Sequence, residues 1–261
     1  MNRIRAFYLL ILPFLFGFTS PSALEVMQLY RKATAIKDLR GIITYTNISK
    51  TGRSQTRTLQ QHISCNNDAA QTYNLLLEFT APQDVAGTAT LTLQHSKRQD
   101  DQWLFLPALR ISKRISASKR SDRFMGTEMT YEDLSTYLSE PLDEYEYKML
   151  GEENVEGRAA YHIEAVPKQG TRTQYSKRQL WIDQETHLML RTDFYDEKGQ
   201  LLKIYKAYDI KPVGDSGFFR AYRVEVENKQ TGNLTKVAYS DFAINQGVDE
   251  QMFSKTYLET Q

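Results

Sequence analysis

The fold is decided by residues 73–105, which run YNLLLEFTAPQDVAGTATLTLQHSKRQDDQWLF. Apolar side chains occupy alternate positions in three successive runs of this stretch, namely Tyr73, Leu75, Leu77, Phe79, then Ala89, Leu91, Leu93, then Trp103, Phe105. A period of two is typical of a β-strand with one buried face. Polar segments containing Gly and Pro separate the runs, so the stretch predicts antiparallel strands joined by turns.

The same period continues on both sides of this stretch. Upstream, residues 41–46 alternate, and a turn at Lys50–Arg53 leads into the β-branched segment Ser54–Ile63. Downstream, the predicted strands are Tyr161–Val166, Gln179–Asp183, Leu188–Tyr195, Leu201–Tyr208, Tyr222–Glu227 and Leu234–Phe242. Turn signals recur about every ten residues, a spacing typical of a meandering antiparallel sheet or barrel.

Two segments have a helical pattern instead. Apolar residues recur every three positions over Leu24–Ile36, which predicts an N-terminal amphipathic helix. A second, short helix is predicted up to Leu138, with Thr130 or Thr127 as its cap and Pro141 as its stop. Because no segment is rich enough in Pro, Gly or Ser to act as a linker, we expect one domain over residues 24–261.

The first 23 residues have the three parts of a secretory signal peptide. Basic residues in Met1–Arg5 precede the apolar segment Ala6–Phe18, and the small residues of Thr19–Ala23 follow. The apolar segment has 13 residues, whereas a membrane span needs about 20. We therefore predict export, with removal of residues 1–23 and cleavage after Ala23.

The composition is that of a globular protein. Of the 261 residues, 41% are hydrophobic and 25% are charged, which excludes a disordered chain and a polytopic membrane protein. The net charge of +1 provides no overall field for nucleic acid, so no nucleic-acid partner is expected. Cys65 is the single cysteine of the chain, so the fold must rely on its core rather than on an internal disulfide.

The sequence contains no recognisable catalytic or metal-binding motif. None of the four histidines has the spacing of a known zinc motif, the four being His62, His95, His162 and His187. Asp183, Glu185 and His187 occupy alternate positions, but they fall on a predicted hairpin turn, where polar residues are expected. We therefore predict no catalytic residue, no metal and no cofactor, and consider an enzyme the weaker class.

A series of apolar residues on one strand parity is the first candidate binding feature. A curved sheet presents one parity on its concave side, where it forms either a packed core or an open cavity for an apolar ligand. The predicted ligand-binding residues are Tyr45, Leu75, Leu77, Phe79, Leu91, Leu93, Trp103 and Phe105, together with Met125 and Met129.

A basic run is the second candidate feature. It places six cations within 14 residues, namely Arg110, Lys113, Arg114, Lys119, Arg120 and Arg123. Met and Phe residues follow directly, a combination that suits an anionic lipid head group or an acidic partner surface. The alternative is a solvated strand edge that its charge protects from aggregation.

The region Pro82–Leu134 resembles the outer-membrane lipoprotein-sorting, or LolA-like, group of periplasmic proteins. The matching motifs are GTATL at 87–91, DQWLFLPALR at 101–110, RIS at 114–116, FMGT at 124–127 and YEDL at 131–134, and a weaker match follows from WID at 181–183. The resemblance implies a mainly β fold: a half-open antiparallel β-barrel with short helices over its mouth and an apolar cavity inside. It also implies a periplasmic carrier of acyl chains.

The branch with this basic run and FMG segment often accompanies membrane exporters of the resistance-nodulation-division (RND) type. We therefore expect a monomeric carrier of lipid or acylated protein that works with such an exporter. The alternative is a non-enzymatic accessory or sensor module that acts through protein contacts. Lipoprotein carriers latch the lid with an arginine on an early strand, and the absence of arginine between Arg57 and Arg98 predicts that this latch is missing.

Overall fold

The structure, a computed structural model, describes residues 20–260 and is built around one sheet of 13 antiparallel strands. The strands are β1 Asp38–Ile48, β2 Ser54–Asn67, β3 Thr72–Ala81, β4 Ala89–Leu93, β5 Asp101–Leu106, β6 Ile111–Arg114, β7 Tyr145–Val155, β8 Arg158–Pro167, β9 Lys177–Asp183, β10 Met189–Tyr195, β11 Leu201–Pro212, β12 Phe219–Asn228 and β13 Leu234–Ile244. The predicted mainly β class is confirmed.

The strand order places the first and last strands side by side in the middle of the sheet. From one edge to the other the order is β6-β5-β4-β3-β2-β1-β13-β12-β11-β10-β9-β8-β7. Among the strands of residues 20–260, only the β1–β13 pairing is non-local, and it places Tyr45 opposite Val237. Strands β6 and β7 form the two edges, so the sheet is not closed into a barrel, and the predicted half-open architecture is confirmed.

Helix α1 spans Ala23–Thr34 and covers the β7–β9 part of the sheet. It begins with a capping box, in which Ser22 Oγ accepts from the Glu25 backbone N–H and Glu25 Oε2 accepts from the Ser22 N–H. Val26 and Met27 of α1 are fully buried against these strands. The predicted signal peptide lies largely outside the described residues, and cleavage after Ala23 would remove this cap.

Helix α2 spans Tyr131–Leu138 and lies over the concave face of β1–β3. Thr130 caps it, as predicted: Thr130 Oγ1 accepts from the Asp133 N–H, while Asp133 Oδ2 accepts from the Thr130 N–H. The helix ends where Ser139 becomes extended, two residues before Pro141. The predicted helix is therefore confirmed with its start and end.

Helix α3, at Lys255–Glu259, was not predicted, because five residues are too few to show a helical period. Its Leu258 is fully buried and packs with Phe253 on the outer face of β4 and β5. The sheet therefore carries an apolar layer on this outer face as well as on its concave face. Between residues 20 and 260 no helix is long and apolar enough to cross a membrane.

A buried ion pair fixes the chain that leaves α2. Arg178 of β9 donates to both carboxylate oxygens of Glu140, at 3.1 and 2.5 Å, and the two side chains expose 4% and 2% of their surface. The Tyr147 hydroxyl donates to the same carboxylate at 3.0 Å. Because losing one member of such a pair leaves a buried charge without compensation, at a cost of about 3–5 kcal/mol, the end of α2 is firmly tied to β9.

Candidate functional site

Two adjoining cavities lie between the helices and the concave face of the sheet. The apolar cavity has a volume of about 50 Å³ and is lined among others by Ile43, Tyr45, Leu75, Leu77, Leu134 and Val237. The tyrosine cavity has a volume of about 90 Å³ and is lined among others by Tyr30, Tyr73, Tyr137, Tyr205, Tyr239 and Arg220. Each cavity has room for several water molecules, of which one needs about 10–15 Å³.

The two cavities share part of their walls. Tyr137 of α2 and Tyr239 of β13 line both of them. Desolvation raises the pKa of both hydroxyls, so these side chains stay neutral across the physiological range. Leu134 of α2 lines the apolar cavity, and Leu138 of the same helix lines the tyrosine cavity. A displacement of α2 would therefore join the two spaces into a longer one.

The structure brings half of the predicted strand residues together at the apolar cavity. Tyr45, Leu75 and Leu77 line it, and Phe79 packs edge-on against Tyr45 with 6.2 Å between the ring centroids. Phe124 stacks on Phe79 from the segment that follows the basic run. The two predicted methionines belong to the same region, since Met129 lines the cavity and Met125 packs against its core.

The other four strand residues lie on the opposite face of the sheet. Leu91 pairs with Leu76 of β3, whose side chain points away from Leu75 and Leu77. The same face continues through Leu93, Trp103 and Phe105, and Phe253 and Leu258 cover it. The predicted single face is corrected here: the apolar parity switches between β3 and β4, because the outer face has its own apolar cover.

Buried polar side chains occupy the concave positions of β4 and β5 instead. Gln94, which follows β4, donates to the Ser135 carbonyl at 2.8 Å, and Gln102 donates to the Tyr131 carbonyl at 3.4 Å. Both amides therefore bind the backbone of α2. Sequence reasoning missed them, although the threonines that alternate with Ala89, Leu91 and Leu93 indicated a polar face.

A buried lysine anchors the start of α2. Lys203 of β11 forms an ion pair with Asp133 of the α2 capping box and donates to the Glu128 carbonyl at 3.0 Å. The Tyr175 hydroxyl donates to Asp133 at 2.7 Å, and burial raises its pKa well above the ordinary value. Lys203 exposes only 3% of its side chain. An ion pair therefore holds the start of the helix, and the two amides bind its backbone at Tyr131 and Ser135.

An arginine on an early strand holds the segment that precedes α2. Arg57 of β2 stands opposite Tyr45 of β1 and donates to the Met125 carbonyl at 3.1 Å and to the Tyr45 hydroxyl at 3.4 Å. Its guanidinium also lies over the Phe79 ring, 5.9 Å from the centroid. Arg57 therefore ties β2 to the backbone at Met125, in the segment that precedes α2.

The basic run lies on the edge strand β6 and the loops around it. Three of its members have acidic neighbours within the domain: Arg114 pairs with Asp101, Arg123 pairs with Glu128 at 3.0 Å, and the charge of Arg120 acts on Glu132. Within residues 20–260 the remaining three form no ion pair and are exposed, namely Arg110, Lys113 and Lys119. A contact role of the run therefore falls on these three.

The alternating polar trio at the β9–β10 turn serves the turn itself. Asp183 accepts two hydrogen bonds from Arg158, at 3.0 and 2.8 Å, and another from the Thr186 N–H at 2.8 Å. His187 follows with a φ of 57°. Asp183 is thus committed to holding the hairpin together.

Comparison with known proteins places this geometry in context. A family described as "uncharacterized protein" matches residues 71–260. The crystal structure of an outer-membrane lipoprotein-sorting protein domain from Vibrio parahaemolyticus is similar, with a TM-score of 0.81 and 33% identity over 91% of this chain and 98% of that one.

Two further crystal structures share the fold. A DUF1329 family protein from Desulfovibrio piger has a TM-score of 0.85 at 27% identity, over 90% of this chain and 97% of that one. A LolA superfamily protein from Nitrosomonas europaea has a TM-score of 0.68 at 20% identity, over 91% of this chain and all of that one (100%). At this identity, the similarity to the Nitrosomonas europaea protein establishes a common fold and no common function.

A shorter similarity links the chain to a regulatory protein. The sigma-E factor regulatory protein RseB of Haemophilus influenzae is 40% identical over 63 residues, which are 24% of this chain and 19% of that protein. The chain thus matches about a fifth of the length of this curated relative.

We predict that Glu132, in the first turn of α2, makes stability depend on pH. Burial raises the pKa of this carboxyl above 4.5, although Thr173 and the Gln174 N–H donate to it. A carboxyl with a raised pKa stabilises the fold when protonated, and this contribution is lost as pH rises through the folded-state pKa. Glu132→Gln should therefore unfold at higher urea concentration than the wild type at pH 7, and the advantage should shrink towards pH 4.

Glu146→Gln is the matched control, because Glu146 is an exposed glutamate on β7. Its urea midpoint should follow that of the wild type at every pH. A pH-independent gap between Glu132→Gln and the wild type would contradict the assignment.

Proposed function

Because the chain belongs to the outer-membrane lipoprotein-sorting, LolA-like family, we propose that it is a periplasmic carrier for the acyl chains of a lipid or lipoprotein. The observation that carries this proposal is the apolar cavity, whose floor is formed by Leu75 and Leu77 and whose roof is the helix α2. The lipoprotein-sorting name of the Vibrio parahaemolyticus relative supports a cargo of this class.

Acyl-chain capture would be driven by transfer of apolar surface out of water. Each buried CH₂ contributes about 0.8 kcal/mol, so a chain of a dozen methylenes contributes on the order of 10 kcal/mol before ordering costs. The apolar cavity, at about 50 Å³, has room for only part of such a chain. Uptake therefore requires α2 to move, which would add the space next to it.

Export to the periplasm is part of the proposal. It is supported by the predicted signal peptide at residues 1–23 and by the family assignment. The protein would act without catalysis, monomeric and without a cofactor, and would pass its cargo to a membrane partner. We propose an RND-type exporter of the inner membrane as that partner, because the basic run and the FMG segment resemble the branch that accompanies such exporters.

A second candidate function is an accessory module that acts through protein contact. It is favoured by the edge strand β6, where Ile111 and the neighbouring Leu109 expose 39% and 59% of their surface. The exposed cations Arg110 and Lys113 stand beside these apolar side chains. An edge strand also has unpaired backbone groups, to which a partner strand can be added.

The carrier function predicts that a charge in the apolar cavity abolishes acyl-chain binding. Ile43 is half-buried and lines this cavity, so Ile43→Glu would bring an unpaired carboxylate against the bound chain. Affinity for a fluorescent fatty acid, measured by titration of the purified protein, should fall about tenfold or more.

Leu93→Glu is the matched control, since Leu93 is equally half-buried but belongs to the outer-face cluster. It should bind the fatty acid like the wild type, and circular dichroism should show that both variants are folded. Equal affinity of Ile43→Glu and Leu93→Glu would contradict the cavity assignment.

If β6 is a contact surface, charge reversal on it should abolish binding to membrane vesicles without affecting fatty-acid binding. The double variant Arg110→Glu/Lys113→Glu should no longer sediment with inner-membrane vesicles, yet should keep wild-type fatty-acid affinity. Arg114 is unsuitable for this test because its reversal would break its pair with Asp101. The exposed pair Lys50→Glu/Arg53→Glu is the control and should sediment normally.

Protein-free vesicles of phosphatidylglycerol separate the two kinds of contact. Binding to them that the β6 variant loses would assign the run to lipid head groups, whereas binding only to native vesicles would assign it to a protein partner. Unchanged sedimentation of the β6 variant would refute both assignments.

A further inference from the structure

Arg220 is a buried cation that lines the tyrosine cavity. It stands on β12 and exposes 9% of its surface. Its guanidinium donates to two backbone carbonyls, that of Phe219 at 2.7 Å and that of Thr34 at 3.4 Å. Across residues 20–260 no carboxylate pairs with Arg220, and its guanidinium lies over the Phe218 ring, 5.5 Å from the centroid.

The surroundings of Arg220 contrast with those of Arg178, which is also deeply buried. Arg178 is matched by the carboxylate of Glu140 in a two-pronged pair. A buried ion without such a partner is costly, because the lost hydration is not replaced. Desolvation accordingly lowers the pKa of Arg220. Desolvation also acts on Arg178, but there the Glu140 carboxylate raises the pKa above its ordinary value. Within residues 20–260 Arg220 is therefore a buried cation that contacts two carbonyls and an aromatic ring but no anionic group.

The side chains around Arg220 are suited to an anion with an apolar tail. Tyr30, Tyr73 and Tyr137 line the same cavity as Arg220, and desolvation raises the pKa of each hydroxyl, so all three remain neutral. The remaining walls of the cavity include Ile36, Leu39 and other apolar residues.

We propose that the tyrosine cavity binds the anionic head group of an amphiphile, a carboxylate or a phosphate, on Arg220, and that the tail lies in the apolar cavity beyond Tyr137 and Tyr239. This inference rests on the proposed carrier function and deepens it, because it names the chemical class of the cargo. The planar fork of a guanidinium matches both oxyanions with two parallel hydrogen bonds.

The shared wall explains why one molecule fits both cavities. Tyr137 and Tyr239 line the two spaces, so a chain that passes between these rings has its head at Arg220 and its tail at Leu75 and Leu77. Displacement of α2, which carries Tyr137, would open this passage. The same movement that admits the tail thus gives the head group access to the cation.

The test compares ligands that share a tail and differ in the head group. Dodecanoate, dodecyl phosphate and dodecanol compete with a fluorescent fatty-acid probe on the wild-type protein. A hydrogen-bonded charge is expected to make the two anions about 10- to 100-fold tighter than the alcohol. Equal affinity of all three would overturn the inference while leaving the carrier function standing. Binding of none of them would refute the carrier function itself.

Variants then locate the preference. Arg220→Met should lose the preference for the two anions over dodecanol, while Arg220→Lys should keep part of it. Arg223→Met is the control on the same strand, because Arg223 is exposed and pairs with Asp209. A preference unchanged in Arg220→Met would overturn the inference. If that variant does not fold, the comparison of ligands on the wild type decides.

Inorganic phosphate distinguishes a lipid head group from a free anion. On the proposed geometry it lacks the tail and should leave the probe in place at millimolar concentration. Displacement of the probe by phosphate alone would show a site for a free anion and would overturn the assignment to an amphiphile.

Discussion

The structure depends on how α2 is held above an apolar floor. The start of the helix is tied by Lys203 to Asp133, and its backbone is bound by Gln94 and Gln102. The chain that leaves it is fixed by Arg178 and Glu140. These polar anchors lie around the cavities. The side chains of α2 that line the cavities themselves are largely apolar. The helix is thus positioned by directional bonds and leaves the space beneath it unfilled.

This arrangement links the energetics of the fold to its proposed function. A packed core would use the apolar parity of β1–β3 for stability, whereas here part of that surface borders the apolar cavity. The open sheet permits this, because its edges β6 and β7 do not pair and the concave face stays wide. Arg57, on the same face, holds the segment at Met125 through a carbonyl. Hydrogen bonds of this kind are exchanged with water at small net cost, which suits a cover that must move.

Local patterns in the sequence predict much of this fold but only part of the site. The period of two located most of the strands, though not β6 and β7, and the Thr130 cap located α2, because both are properties of neighbouring residues. The parity of Leu91 and Phe105 depends on the turn between β3 and β4 and on a cover formed near Leu258, which no local pattern reveals. The contacts of Arg57 and Arg220 likewise join residues 68 and 186 positions apart in the chain, so only the folded structure shows them.

The central claim is that the space beneath α2 holds an acyl chain. Native mass spectrometry of the mature protein, purified from the periplasm without detergent and followed by lipid extraction, tests it most directly. The account predicts a co-purifying lipid or acylated protein, which is released when the protein is denatured. A protein that is free of such cargo and that also fails to bind an added fluorescent fatty acid would contradict the claim and favour the accessory module.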